Sequence, residues 1–91
     1  MHKRDIVAVM VDHRNESAVN VQKVLTGWGC MIKTRLGLHE GWMDNCTQTG
    51  LIILEMVGEH EKVEEFVRKL NLVKGAKAEW MSLELPNDGN E

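Results

Sequence analysis

Residues 5–12 read DIVAVMVD, and residues 51–57 read LIILEMV. Each stretch is rich in valine, isoleucine or leucine and too short for a typical helix, so each predicts a β-strand. Both are apolar at odd and at even positions, with Glu55 as the exception in the second. A strand with two apolar faces is typical of the middle of a sheet. We therefore predict that these stretches are the central strands of the fold.

Two further stretches have the spacing of amphipathic helices. Apolar residues recur at intervals of three, four and seven in each stretch, which places them on one side of a helix. The first set is Val21, Val24, Leu25 and Trp28, and the second set is Val63, Phe66, Val67 and Leu70. Asn15 is the predicted N-cap of the first helix, and Gly27 and Gly29 are its predicted end.

The remaining segments predict two outer strands and a tail. In Cys30–Leu38, apolar and charged residues alternate: Ile32, Thr34, Leu36 and Leu38 share one face, and Lys33 and Arg35 share the other. Exposed charges are typical of an edge strand. Ala76–Leu85 predicts the last strand, and Pro86 begins a polar end. With 91 residues in all, we predict one domain over residues 1–85 and a flexible tail over residues 86–91.

The predicted order of elements is β-α-β-β-α-β. This order indicates an α+β fold, the ferredoxin-like βαββαβ sandwich, with two helices on one face of a four-stranded antiparallel sheet. The strand order in that fold is 4-1-3-2, so the first and third strands are central. Those are the two strands that are apolar on both faces.

The fold leaves one face of the sheet without helices, and that face carries apolar residues from both central strands. Monomeric proteins rarely expose large apolar patches, and a second copy of the chain is a common cover. We therefore predict a homo-oligomer, a dimer or a tetramer, that assembles through the sheet. The alternative is that twist or short strands leave the face less exposed.

Composition excludes several classes of protein. The net charge of −3 is not the basic footprint of a nucleic-acid-binding protein, so no direct nucleic-acid contact is expected. No apolar run is long enough to span a membrane. The two cysteines, Cys30 and Cys46, form no CxxC pair, and we expect two reduced thiols in a cytoplasmic protein.

Four stretches carry a resemblance to a known family: IVAVMVDHRNESAVNVQKVLTGWG, IKTRLGLHEG, GLIILEMVG and LNLVKGAKAEWMSLEL. Together they resemble the ACT-like small regulators named iron-only hydrogenase system regulators. The resemblance implies a ferredoxin-like fold, oligomerisation through the sheet and a regulatory role. It departs from amino-acid-binding ACT domains in the first strand-to-helix turn, because residues 12–17 read DHRNES and contain no glycine.

That same turn is a candidate ligand site, formed by Asp12, His13, Arg14 and Asn15. The start of a helix has free backbone N–H groups that favour an anion, and His13 and Arg14 add positive charge. An anionic small-molecule effector therefore fits the turn. The alternative is that Asp12 and Asn15 only cap the helix.

The second candidate is the connection between the second and third strands. His39, Asp44 and Cys46 can supply three ligands to a zinc or nickel ion. His39 and Cys46 also resemble part of the nickel site of the nickel-responsive ribbon-helix-helix repressor, which has a second histidine that is absent here. The alternatives are a plain hairpin loop, with Trp42 packed on a neighbouring subunit, and a site for an organic ligand.

The sequence has no motif that indicates catalysis. There is no nucleophile elbow, no glycine-rich phosphate loop and no HExxH, and nothing in the sequence identifies a cofactor. We therefore predict a non-enzymatic regulatory module that senses a ligand. The alternative is a metal sensor that uses His39 and Cys46, and an enzyme is a third class.

Overall fold

The computed structural model describes residues 2–12, 16–38 and 49–86. The elements are β1 (His2–Asp12), α1 (Ser17–Gly27), β2 (Ile32–Leu38), β3 (Thr49–Met56), α2 (His60–Asn71) and β4 (Ala76–Leu85). A short 3-10 helix, Gly29–Met31, connects α1 to β2. The predicted βαββαβ order is therefore confirmed. The predicted N-cap Asn15 and residues 87–91 of the predicted tail lie outside the described residues.

The four strands form one antiparallel sheet in the order β2-β3-β1-β4. Read from the other edge this is 4-1-3-2, so the predicted topology is confirmed, with β1 and β3 in the centre. β1 begins at His2, three residues before its predicted start. The extension pairs with the end of β4, since His2 lies opposite Leu85.

The core lies between one face of the sheet and the two helices. Val7, Val9 and Val11 of β1 alternate with more exposed neighbours and are fully or almost fully buried. α2 buries its whole predicted stripe, whereas α1 buries Val21 and Leu25 and leaves Val24 and Trp28 partly buried. The rings of Trp28 and Phe66 lie 5.5 Å apart between the helices. Burial of these apolar side chains is the main favourable term in folding.

The predicted alternation in β2 is wrong at its first residue. Ile32 pairs with Met56, which is on the helix side of the sheet, whereas Thr34 pairs with Glu55, which is on the other side. The register shifts between them because Lys33 is an extra residue in the ladder. Such an irregularity changes the face of every later residue, so Ile32 does not share a face with Leu36.

The outer edge of β4 is closed at one point by a side chain from α2. Asn71, the last residue of α2, donates a hydrogen bond from its side-chain amide to the carbonyl oxygen of Ala78 at 3.0 Å. Its side-chain oxygen accepts a hydrogen bond from the N–H of Ala78 at 2.7 Å. Ala78 therefore directs both backbone groups away from β1, as residues in non-hydrogen-bonded antiparallel pairs do.

The exposed surface of α2 carries an ion pair one turn long. Arg68 donates two hydrogen bonds to the carboxylate of Glu65, at 3.0 and 2.7 Å. These bonds lower the pKa of Glu65 and raise the pKa of Arg68 from their usual values. Exposed pairs of this kind contribute little to stability, so α2 is held in place mainly by its buried stripe.

Candidate functional site

The face of the sheet that points away from the helices is largely apolar; we call it the open face. The register places on it every second residue of the central strands, including Ile6, Ala8 and Met10 of β1 and Leu51 and Ile53 of β3. Leu36 of β2 lies opposite Ile53, and Met81 and Leu83 of β4 complete the patch. The predicted uncovered face is therefore present in the chain.

Several large side chains of the open face are half exposed. The exposed fractions are 52% for Met10, 53% for Leu36 and 54% for both Met81 and Leu83. Patches of this kind on monomers mark binding or association surfaces, whereas single exposed apolar residues need no explanation. The open face is therefore the main candidate for a functional surface.

Charged residues of β1, β3 and β4 also lie on the open face, and one of them, Glu79, lies opposite Ala8 in the middle of β1. Arg4 of β1 is 3.3 Å from the carboxylate of Glu55, and Lys77 of β4 is 3.9 Å from that of Glu79. Protein–protein interfaces combine apolar side chains with polar and charged ones.

A shallow depression of about 260 Å³ lies at one end of the open face. Its lining comes from three strands and the turn before β4, and comprises Met10, Asp12, Thr49, Gly75, Ala76 and Lys77. This lining contains one cationic residue, Lys77, and one anionic residue, Asp12, and Lys77 is also 3.9 Å from the carboxylate of Glu79. A small anionic molecule is the kind of ligand that matches a cationic side chain in such a position.

The shape of this end of the sheet depends on a close contact between the turn after α2 and the start of α1. The hydroxyl of Ser17, which is buried, donates a hydrogen bond of 2.6 Å to the carbonyl oxygen of Lys74. The next residue, Gly75, has a φ of +84° and accepts a hydrogen bond of 2.8 Å from the N–H of Asp12. These contacts fix the end of β1 beside the start of β4.

The structure locates one residue of the predicted anion site. Asp12 is the last residue of β1 and contributes to the depression. His13, Arg14 and Asn15, which follow it directly, lie outside the described residues. The structure therefore places the first residue of the predicted site, Asp12, in the depression that Lys77 also lines. The site itself stays a prediction.

The predicted metal ligands His39, Asp44 and Cys46 also lie outside the described residues. The strands that flank them are described: β2 ends at Leu38, and β3 begins at Thr49. Thr49 pairs with Asp12 across the sheet, so the two predicted sites are attached at the same end of the sheet. In the described ranges, no group of three or more His, Cys, Asp or Glu side chains is arranged to hold a metal ion.

Three residues that line the depression, Thr49, Gly75 and Lys77, were not predicted as site residues. The alternation of Ala76, Lys77 and Ala78 places Lys77 on the opposite face from its neighbours, which was a usable signal. Its position beside Asp12 depends on the pairing of β4 with β1, which a single strand pattern does not specify.

Comparison with solved structures shows the fold. An uncharacterised protein from Thermotoga maritima superposes with a TM-score of 0.76 at 19% identity, over 91% of this chain and 100% of that one. The ACT domain of GTP pyrophosphokinase from Chlorobium tepidum gives a TM-score of 0.68 at 15% identity, over 86% and 96%. The fold is ACT-like.

A third neighbour is the C-terminal domain of the MgtC protein from Mycobacterium tuberculosis. It gives a TM-score of 0.66 at 13% identity and covers 90% of this chain and 88% of that domain. No protein-family model and no curated protein sequence matches the chain. None of the described helices is long and apolar enough to cross a membrane.

Proposed function

We propose that this protein is a small, non-enzymatic regulatory module of the cytoplasm that assembles into a homo-oligomer through its open face. It binds a small effector near the subunit interface. A role in transcription or in a hydrogenase system is the finer part of the proposal, and it follows from the family resemblance of the sequence. The observation that carries the proposal is the open face itself.

The open face suits a second copy of the chain. Its apolar centre has large side chains that remain about half in water in a single chain, such as Met10 and Met81. In an isologous dimer the same patch covers itself, so one apolar surface satisfies both subunits. Removal of this surface from water contributes roughly 25 cal/mol per Å² of apolar area.

Both edges of the sheet suit self-association less well than the open face does. On the β4 edge, Asn71 occupies the backbone groups of Ala78. The β2 edge has a shifted register near Lys33 and carries the charge of Arg35. Bulges and charges on edge strands hinder strand-to-strand pairing between molecules.

The proposed effector site is the depression that contains Lys77 and Asp12, together with the turn formed by His13, Arg14 and Asn15. The depression opens on the same side of the sheet as the proposed interface. A ligand bound there can contact two subunits at once. It then regulates by population shift, because it stabilises the subunit arrangement to which it binds more tightly.

The assembly is tested by native mass spectrometry and light scattering of the untagged chain and two variants. Met81→Glu introduces a charge into the open face, and Val19→Glu introduces the same charge at a residue of α1 that is 56% exposed. We expect a dimer or tetramer for the parent and for Val19→Glu, and a monomer for Met81→Glu. A monomeric parent chain contradicts the proposal.

The effector site is tested by a thermal-shift screen with small anions, starting with inorganic phosphate, amino acids and nucleoside phosphates. We expect one anion class to raise the unfolding temperature, and Arg14→Gln and Lys77→Gln each to weaken that binding at least tenfold. Lys23→Gln, an exposed lysine of α1, is the matched control. Equal binding by all three variants contradicts this placement of the site.

The alternative function is a nickel or zinc sensor that uses His39, Asp44 and Cys46. The observation in its favour is that β2 and β3 bring the two ends of this segment to the same end of the sheet as Asp12. Elemental analysis of the purified protein tests it. Stoichiometric metal that is lost in Cys46→Ser supports the sensor, and metal-free protein supports the effector module.

A further inference from the structure

Asp5 is an acidic residue inside the core layer, at the opposite end of the sheet from the depression. It lies on β1, on the same face as Val7 and Val9, and is only 1% exposed. Among the described residues, neither oxygen of its carboxylate has a hydrogen-bond partner. A buried carboxylate without hydrogen bonds is costly, and such groups in native proteins point to an unseen water or ion.

Two other orphan polar atoms belong to the same cluster. The Nε2 atom of His60, the first residue of α2, lies 3.7 Å from Oδ1 of Asp5. Ser82 of β4 lies opposite Asp5 in the β1–β4 register. Both His60 Nε2 and the Ser82 hydroxyl are buried without a hydrogen-bond partner in the described part of the chain.

We propose that Asp5, His60 and Ser82 form a binding site for one divalent transition-metal ion of the zinc class. A carboxylate oxygen and an imidazole nitrogen are ordinary ligands for zinc and nickel, and a serine hydroxyl is a weaker oxygen donor. This site is separate from the predicted segment with His39 and Cys46. It is also independent of the proposed effector site.

The distance between the two main donors fits a shared ion. Zinc bonds to imidazole nitrogen and carboxylate oxygen are about 2.1 Å long, so two donors on one ion lie at most about 4.2 Å apart. The observed distance between Oδ1 and Nε2 is 3.7 Å. This is longer than a hydrogen bond and shorter than the limit for two ligands of one ion. It corresponds to a ligand–metal–ligand angle of about 120°, near the tetrahedral value that zinc prefers.

The neighbouring groups suit a metal ligand. Lys3 contacts the other carboxylate oxygen, Oδ2, at 3.6 Å, so Oδ1 remains directed to His60. Contacts to the second oxygen orient a ligating carboxylate, although the positive charge of Lys3 by itself opposes a bound cation. The ring of His60 packs edge-on against Trp80, with the centroids 5.4 Å apart, which fixes the imidazole.

The charge around the site is mixed. Asp5 supplies one negative charge, Lys3 offsets it, and Glu59 and Glu61 flank His60 in the chain. These two acids oppose the positive end of the α2 dipole, which by itself disfavours a cation. With two strong protein ligands and one weak one, we expect moderate affinity and water in the remaining position.

The test is calorimetric titration of zinc into the untagged, metal-free full chain that carries His39→Gln and Cys46→Ser. In this background the predicted segment lacks two of its three ligands. We expect one zinc ion per chain. We expect His60→Gln and Asp5→Asn each to weaken binding at least tenfold, and Ser82→Ala to weaken it less. Glu64→Gln, which removes an exposed carboxylate of α2 outside the cluster, should bind as the background does.

Asp5→Asn replaces a buried residue. If the Asp5→Asn variant fails to fold, the result for His60→Gln decides the test. The His60 side chain is 43% exposed, and circular dichroism checks that its replacement leaves the fold intact. Nitrogen NMR of the histidine rings gives a second readout, because zinc shifts the Nε2 signal of its ligand. An unmoved His60 signal, no zinc binding, or equal binding by His60→Gln overturns the proposal.

Discussion

At the scale of single residues, the structure depends on Gly75, where an added Cβ atom would have no space. Gly75 has a positive φ, which residues with a side chain rarely adopt, and its carbonyl oxygen accepts the Asp12 N–H. A Cβ atom at this position would overlap the hydroxyl of Ser17. The contact that shapes the depression therefore requires a glycine.

We predict that Gly75→Ala destabilises the protein by about 1–3 kcal/mol, because of backbone strain and the overlap with Ser17. Urea unfolding followed by circular dichroism measures the change. Gly37→Ala is the control, because a Cβ atom there has no atom within 4 Å and no positive φ is involved. Equal effects of the two substitutions would show that the turn is not the cause.

Asp5 shows what the sequence could and could not predict about single residues. Its position two residues before Val7 places it on the buried face of β1 by simple alternation. Because the predicted strand begins at Asp5, the prediction placed this residue at the end of a strand, where a charged side chain is common. The burial follows only from the continuation of β1 to His2 and from the pairing of that extension with β4.

At the scale of elements, patterns with strong periodicity were predicted well. The stripes of α1 and α2 and the helix-facing apolar residues of β1 and β3 result from burial, which acts on whole elements. The face of Ile32 in β2 was predicted wrongly, because an extra residue in a strand changes the periodicity only locally. The two connections that carry most candidate ligands have no periodicity, so their geometry was not predictable.

The Asn71–Ala78 contact joins α2 to β4 by two hydrogen bonds, and we predict that its removal in Asn71→Ala costs about 1–3 kcal/mol. Thermal or urea unfolding measures this cost. Asn20→Ala, which removes an exposed asparagine of α1, is the matched control and should change stability little. A small effect in both variants would mean that water replaces the two hydrogen bonds.

At the scale of the whole molecule, the chain is small and one side of its sheet has no cover. The open face was predictable from the sequence, because two helices cannot cover both faces of four strands. The position of the depression was not predictable, since it requires the ends of β1, β3 and β4 to meet. The site thus depends on long-range pairing more than the fold class does.

If folding and assembly are linked, stability depends on protein concentration. We predict that tenfold dilution lowers the unfolding temperature of the parent chain by a few degrees, because dissociation favours the unfolded state. Differential scanning calorimetry at several concentrations measures this shift. Met81→Glu should show no such dependence, and the same midpoint for the parent at all concentrations would contradict the linkage.

The two hydrogen bonds between Asn71 and Ala78 affect how copies of the chain can add to one another. Sheets with two free edges can add copies indefinitely, which is how fibrils elongate. Here one edge is occupied by Asn71 and the other is interrupted near Lys33. In the proposed assembly, copies that add through the open face instead complete a closed particle of fixed size. Loss of Asn71 would therefore threaten solubility as well as stability, since it exposes a site where polymerisation can begin.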